Sequence, residues 1–275
     1  PVTRSHTRPT VLATCCTVAL LFVTAVVGST LTGCGTSASD QLTHVTAPVT
    51  TDTLFAQAKR AYDKEDWLDA IRLFDEVRVH APSSEYATQS TYFEAMARFK
   101  QDLFSSAAID FRTVRRNSPG TPTAARAQYM VGESYYQLSP RPELDQSYTT
   151  LALAEFQTLL RDFPDASPAL LDSARDRIVS IRSKLSEKFF NSGVLYDKLD
   201  DPKSALVYYA RVLDQYYDMP LAPEAQVRIA EIQYDRKKLD ESRKALDVFD
   251  SKYLPKASTE VRARARSLRE KLPTE

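Results

Sequence analysis

The sequence predicts an all-α fold, a superhelix of about five helix–turn–helix units closed by a C-terminal helix. Three observations carry this prediction. A pattern of small and aromatic residues recurs every 37 positions, apolar residues within each unit follow helical spacing, and glycine is scarce, with 6 in 275 residues. Repeats of a few tens of residues are typical of helical solenoids, in which each unit buries its apolar face against the next.

Residues 1–33 have the organisation of a secretory leader. Arg4 and Arg8 give a basic start, and residues 11–27 form an apolar run interrupted by threonines and two cysteines. A transmembrane anchor is the alternative, but this run of about 17 residues is shorter than the ~20 that span a bilayer comfortably. We therefore interpret residues 1–33 as a cleavable signal peptide.

Residues 31–34 read Leu-Thr-Gly-Cys. This tetrapeptide resembles the lipobox of bacterial lipoproteins, which implies cleavage before Cys34 and acylation of that cysteine. Several acyl chains together anchor a protein to a membrane where one does not. Residues 34–50 are then the lipidated cysteine and a flexible tether of small polar residues, with a reach of roughly 20–25 Å.

No cysteine follows residue 34, so the domain beyond it has no internal disulfide and no thiolate metal site.

The first two units match at seven positions. Phe55, Ala58, Tyr62, Ala70, Phe74, Val77 and Pro82 recur 37 residues later as Tyr92, Ala95, Phe99, Ala107, Phe111, Val114 and Pro119. The first half of each unit spaces its apolar residues at i, i+3 and i+7, and the second at i, i+4 and i+7, which are helical spacings. A short polar turn joins the halves, and the proline ends the second helix. Each unit is therefore predicted to be a helical hairpin.

The later units keep the pattern with changes. In unit three the second half is displaced by eight residues, which predicts a Pro-rich loop at 139–146. Units four and five share five positions: Phe190, Gly193, Ala205, Tyr209 and Val212 recur as Val227, Ala230, Ser242, Leu246 and Phe249. Residues 168–188 lie outside the repeat and are expected to extend the first helix of unit four, while 258–271 form a capping helix. Units one to three thus occupy 51–166, and units four and five with the cap occupy 167–275.

Numbered from Thr51, positions 8, 20, 24 and 32 hold Ala58, Ala70, Phe74 and Pro82. This arrangement resembles the tetratricopeptide repeat (TPR) consensus across residues 51–255. In TPR proteins positions 5, 9 and 12 line a concave groove, which implies a peptide-binding groove lined by Phe55, Lys59, Tyr62, Tyr92, Met96, Phe99, Tyr129, Glu133 and Tyr136. Rigid aromatic rings favour an extended, aromatic-bearing peptide as the ligand. The alternative is that these rings pack between hairpins as core.

The sequence gives no sign of catalysis. His80 is the one histidine beyond the tether, no HExxH, GxSxG or phosphate-binding loop is present, and the pair Asp200 and Asp201 falls in a turn. Basic and acidic residues number 36 each. The chain therefore lacks the excess of positive charge that nucleic-acid binding requires. We expect no enzyme activity, no metal, no cofactor and no nucleic-acid partner.

Two segments carry a further resemblance. Residues 67–71 (Trp-Leu-Asp-Ala-Ile) open the second helix of unit one, and within 139–167 Asp145 precedes an Ala-x-x-x-Phe helix with an aromatic-Pro end. With the lipobox and five degenerate units, they resemble the BamD family, the lipoprotein subunit of the machinery that folds β-barrel proteins into the bacterial outer membrane. The resemblance implies a non-catalytic protein anchored on the periplasmic side of that membrane. Its C-terminal units would dock periplasmic domains of the barrel-forming subunit, and its N-terminal units would recognise unfolded outer-membrane proteins.

The chain departs from the family pattern in the second helix of unit four, where residues 204–211 lack an arginine at the turn. Tyr208 and Arg211 are the remaining candidates for the partner surface there. The runner-up interpretation is a TPR lipoprotein that acts as a scaffold for cell-wall or envelope-maintenance proteins. A lipid-anchored solute-binding protein is disfavoured, because such proteins are α/β and no βαβ alternation is present.

Overall fold

Helices joined by turns and loops make up the chain from Thr50 to Pro273. A computed structural model describes residues 50–273, and eleven α-helices lie in this range. They are α1 (Thr51–Asp63), α2 (Trp67–His80), α3 (Glu85–Lys100), α4 (Phe104–Asn117), α5 (Pro122–Gln137), α6 (Ser147–Asp162), α7 (Pro168–Lys198), α8 (Pro202–Gln215), α9 (Ala222–Asp235), α10 (Leu239–Val248) and α11 (Thr259–Lys271). The predicted signal peptide, Cys34 and all but the last residue of the tether lie outside the described residues.

The predicted all-α architecture is confirmed. Consecutive helices pair as five hairpins, α1 with α2 through α9 with α10, and no strand occurs between residues 50 and 273. The expected extension is also present, because α7 runs unbroken for 31 residues. A π-helical turn (Phe249–Tyr253) and a 3₁₀ turn (Leu254–Lys256) lead to α11, which packs on α9 and α10. None of the helices in this range is long and apolar enough to cross a bilayer.

The turns inside the hairpins share one backbone device. Glu65, Asp102, Asp200 and Lys237 all have positive φ, between 56° and 62°. These residues recur at the repeat spacing within units one and two and within units four and five, whereas unit three has the 139–146 loop instead. A residue in the left-handed backbone conformation ends one helix and changes the direction of the chain. The next helix then begins directly, and in two hairpins an aspartate caps it: the side chain of Asp66 accepts from the Asp69 N–H, and that of Asp201 from the Ser204 N–H.

The repeat positions form the core because a small residue on the first helix faces a large one on the second. Ala58, Ala70 and Phe74 are fully buried, as are their counterparts in unit two. In units three and four the small residue is glycine. A Cβ atom on Gly132 would lie 2.9 Å from the ring of Phe156, and one on Gly193 would lie 2.7 Å from the ring of Tyr209.

Tyr209 differs from the phenylalanines at this position in the first three units by one hydroxyl group. That hydroxyl is buried and has no hydrogen-bond partner within residues 50–273. Burial raises the pKa of Tyr209 to about 12. We expect Tyr209→Phe to raise the free energy of unfolding by about 1 kcal/mol at neutral pH, because the variant no longer buries an unsatisfied polar group.

The same substitution should change how the free energy of unfolding depends on pH in the alkaline range. A tyrosine pKa raised in the folded state stabilises the protein below pH 10, the unfolded value, and this contribution is lost as pH rises towards 12. The gap between Tyr209→Phe and the wild type should therefore widen over that window in urea titrations. The exposed Tyr217 gives the control, since Tyr217→Phe should leave the free energy of unfolding at neutral pH unchanged. A lower midpoint for Tyr209→Phe would mean that its hydroxyl has a native partner.

Candidate peptide-binding surface

The nine predicted groove residues lie on one face each of α1, α3 and α5. Their spacing of four and three residues places them on consecutive turns of a helix. Eight of the nine are partly exposed, and Glu133 is buried. The surface they form is therefore neither fully open nor fully enclosed.

In unit one the groove residues also contact the neighbouring hairpin. The ring of Phe55 lies 6.3 Å from that of Phe93 on α3, and the ring of Tyr62 lies 5.4 Å from it. The Lys59 ammonium sits 4.5 Å from the centre of the Phe93 ring and pairs with Asp63 at 2.8 Å. One side of each of these rings thus packs against hairpin two, and the rest of the ring stays exposed to solvent.

In unit two the groove rings instead contact the second helix of their own hairpin. The ring of Tyr92 lies 5.7 Å from that of Phe111, and the ring of Phe99 lies 5.1 Å from that of Phe104, while Met96 packs against the same core. Burial raises the pKa of Tyr92. Units one and two together therefore present two short columns of aromatic edges.

In unit three a single arginine of α7 reaches all three predicted positions. Arg177 donates to Glu133 through Nε and Nη2, each at 2.8 Å, and its Cζ lies 4.6 Å from the centre of the Tyr136 ring. It also interacts with the Tyr129 hydroxyl. The Tyr136 hydroxyl lies 2.9 Å from Ser180 Oγ. The groove positions of unit three are thus engaged by the protein's own chain, and the open part belongs to units one and two.

Polar contacts continue along α7 beyond Arg177. Lys184 Nζ donates to Ser139 Oγ at 2.9 Å, and Lys188 Nζ donates to the Leu144 carbonyl at 2.7 Å. The side chains at 177, 180, 184 and 188 are three or four residues apart, so they form one row on the helix. This row, here called the α7 polar row, fixes the 139–146 loop as well as unit three. Sequence reasoning missed it because residues 168–188 have no counterpart in the repeat.

The two candidates for a partner surface on α8 lean towards α7. The ring of Tyr208 stacks on that of Tyr196 at 5.2 Å, and the exposed Arg211 places its Cζ 5.4 Å from the ring of Phe189. Three apolar side chains at the same end of this hairpin are more than half exposed: Leu195, Leu199 and Val207. The sequence pattern did not single them out, because a repeat pattern marks buried positions.

Metal-ligating side chains do not gather anywhere in residues 50–273: no group of three or more His, Cys, Asp or Glu is placed to hold an ion.

The hairpins, their small and aromatic repeat positions and the aromatic columns define a helical repeat protein of the TPR type. Residues 48–248 match the family described as "YfiO: Outer membrane lipoprotein", a match that spans α1 to α10, and the chain belongs to this family.

The relatives of this chain include bacterial proteins named outer membrane protein assembly factor BamD. The one from Caulobacter vibrioides is 24% identical over 214 residues, covering 78% of this chain and 69% of the relative. The one from Rickettsia prowazekii is 25% identical over 234 residues, covering 85% and 91%. The resemblance to the BamD family is therefore confirmed.

Among solved structures, the chain is similar to a thermophilic TPR protein of Thermus thermophilus, with 17% identity, a TM-score of 0.34 and coverage of 80% of this chain and 100% of that one. It is also similar to YrrB, a TPR protein with an unusual peptide-binding site, with 14% identity, a TM-score of 0.34 and coverage of 79% and 92%. The fold assignment rests on the hairpins described above.

Proposed function

We propose that this chain is a non-catalytic, lipid-anchored subunit of the machinery that assembles β-barrel proteins in the outer membrane. The observation that carries the proposal is the family match across all five hairpins, together with relatives named as outer membrane protein assembly factors. Acyl chains on Cys34 would hold the helical domain on the periplasmic side. The C-terminal units would dock periplasmic domains of the barrel-forming subunit, and no cofactor or nucleic acid takes part.

The N-terminal units would bind unfolded outer-membrane proteins. Support comes from the aromatic columns of units one and two, whose rings are held by contacts with α3 and α4 yet remain partly exposed. Rings already fixed by packing lose little freedom when a ligand binds, and aromatic pairs contribute beyond the area they bury. An extended segment with alternating aromatic side chains fits this surface.

The aromatic columns can be tested with leucine substitutions, which keep an apolar side chain at each position. In the double variant Tyr62→Leu with Phe99→Leu, a peptide from the last strand of an outer-membrane β-barrel protein should bind about tenfold more weakly, which corresponds to about 1.4 kcal/mol. Fluorescence anisotropy of the labelled peptide gives the affinity. Tyr148→Leu with Tyr217→Leu changes two exposed rings outside the groove and should leave the affinity unchanged. A loss of helicity in the first variant would show that its rings are core, as the alternative interpretation holds.

The partner itself is identified by affinity capture. The full lipidated chain is purified in detergent from its own membranes, with Cys34→Ala as the control for the anchor, and the proteins that accompany it are identified by mass. Recovery of a large outer-membrane β-barrel protein with periplasmic repeats supports the proposal. Recovery of peptidoglycan enzymes without such a protein supports the envelope scaffold instead.

A further inference from the structure

The groove tyrosines of units one and two have hydroxyls that the described chain does not use. Tyr62 on α1 and Tyr92 on α3 are partly exposed, and neither hydroxyl has a hydrogen-bond partner within residues 50–273. The two side chains interact electrostatically, so they lie near each other across the boundary between the hairpins. A tyrosine hydroxyl can donate to a carbonyl of an extended chain or accept from its N–H. Units one and two therefore combine aromatic surface with groups that can bond to a peptide backbone.

In unit three the tyrosines at the same two repeat positions are engaged by α7. The Tyr136 hydroxyl lies 2.9 Å from Ser180 Oγ, and the Tyr129 hydroxyl interacts with the guanidinium of Arg177. Arg177 also covers the ring of Tyr136, with its Cζ 4.6 Å from the ring centre. The side chain of Arg177 thus occupies the place that a ligand side chain would take in unit three.

A ligand could displace Arg177 only at a cost, because Glu133 depends on it. The Glu133 side chain is 9% exposed and accepts two hydrogen bonds of 2.8 Å from the guanidinium. A buried carboxylate that loses its cation is strongly destabilised. Lys184, two turns further along α7, also lies 5.4 Å from the centre of the Tyr136 ring. A ligand can therefore contact units one and two without this cost, but not unit three.

The extent of the open groove sets the length of the segment that fits it. Neighbouring helices pack at about 10 Å, and an extended chain advances about 3.3 Å per residue. A segment that crosses the first helices of two units therefore has about six residues in contact with them. A segment that also crossed unit three would have about nine.

We propose that the α7 polar row closes the groove at unit three, so that a bound segment of an unfolded outer-membrane protein contacts only units one and two, over about six residues. Arg177 is the specificity-determining residue, because its guanidinium covers Tyr136 and is held there by Glu133. The inference rests on the proposed function, and it adds a length limit to the segment that the N-terminal units bind.

A series of peptide lengths tests the inference on the wild type. Peptides of about four, six and nine residues, taken from the last strand of an outer-membrane β-barrel protein, compete with the labelled peptide for the full lipidated chain in detergent. Fluorescence anisotropy gives each affinity. We expect the affinity to rise about tenfold from the shortest to the middle peptide, and by less than about twofold from the middle to the longest.

The double variant Arg177→Ser with Glu133→Gln should open unit three. It removes the guanidinium together with the carboxylate that would otherwise lose its cation. The longest peptide should then bind about tenfold more tightly than it binds the wild type, because two further aromatic rings are accessible, while the middle peptide binds equally well. The matched control is Arg175→Ser with Asp172→Asn, which removes an exposed ion pair from the same helix. It should keep the length dependence of the wild type.

The outcomes separate the inference from the proposed function. If the wild-type affinity rises as steeply from the middle to the longest peptide as from the shortest to the middle one, the inference fails alone. An unchanged length dependence in the double variant, with the helicity of the wild type, would overturn the role of Arg177. If none of the peptides binds the wild type, the proposed function of the N-terminal units fails as well.

Discussion

Replacing Phe156 with alanine is expected to lower the free energy of unfolding by about 3–5 kcal/mol. Phe156 is fully buried on α6, its ring covers the backbone of Gly132, and it lies 5.4 Å from the ring of Tyr129. Gly132 has no side chain that can move into the space left by the ring. The cavity would therefore persist, and a persistent cavity adds to the lost transfer free energy. Urea denaturation followed by circular dichroism measures the change.

Leu151→Ala supplies the comparison on the same helix. Leu151 is 42% exposed, so its truncation should cost less than about 1 kcal/mol. If both variants lost similar stability, Phe156 would not be the ring that fills the position between α5 and α6, and the repeat register of unit three would be wrong.

Replacing Arg177 with methionine is expected to cost about 2–3 kcal/mol, because a buried carboxylate loses its charge partner and keeps only the hydrogen bond from Gln137. The Glu133 side chain is 9% exposed and receives two hydrogen bonds from Arg177. Methionine keeps most of the aliphatic volume, so the loss reports on the charge rather than on packing. Thermal and urea unfolding at neutral pH measure it.

Arg175 provides a control two residues away on the same helix. It pairs with Asp172 at 2.6 Å, but both side chains are more than half exposed, and exposed pairs contribute little. Arg175→Met should therefore change stability by less than about 0.5 kcal/mol. Combining Arg177→Met with Glu133→Gln should recover part of the loss, since the stranded charge is then gone. Equal costs for the two arginine variants would show that Glu133 is solvated in the native state.

The fold was predictable because its signals are local and repeat. Small and aromatic residues at fixed spacing specify a hairpin within one unit, and the same pattern five times specifies a stack. The long helix α7 was also predictable, since residues 168–188 have no breaker and keep helical spacing. Predicting these features does not require knowing which side chains of one unit contact the next unit.

The candidate site was predictable only in part, because groove positions depend on what the neighbouring unit places against them. Repeat numbering found Glu133 and Tyr136, but not Arg177, which binds both from a segment outside the repeat. It also did not show that Phe93 holds Phe55 and Tyr62. The position of α11 against α9 and α10 likewise follows from tertiary packing rather than from any motif.

The length of α7 has a mechanical consequence. At 1.5 Å per residue, its 31 residues make a rod of about 46 Å. Its middle is fastened to unit three by the α7 polar row, and its C-terminal part forms hairpin four with α8. From Arg177 to Lys198 the helix rises about 32 Å, so a tilt of about 5° at Arg177 would move the C-terminal end by about 3 Å if the rod stays straight. The helix is thus a lever arm, and its fulcrum lies beside the surface proposed to hold unfolded protein.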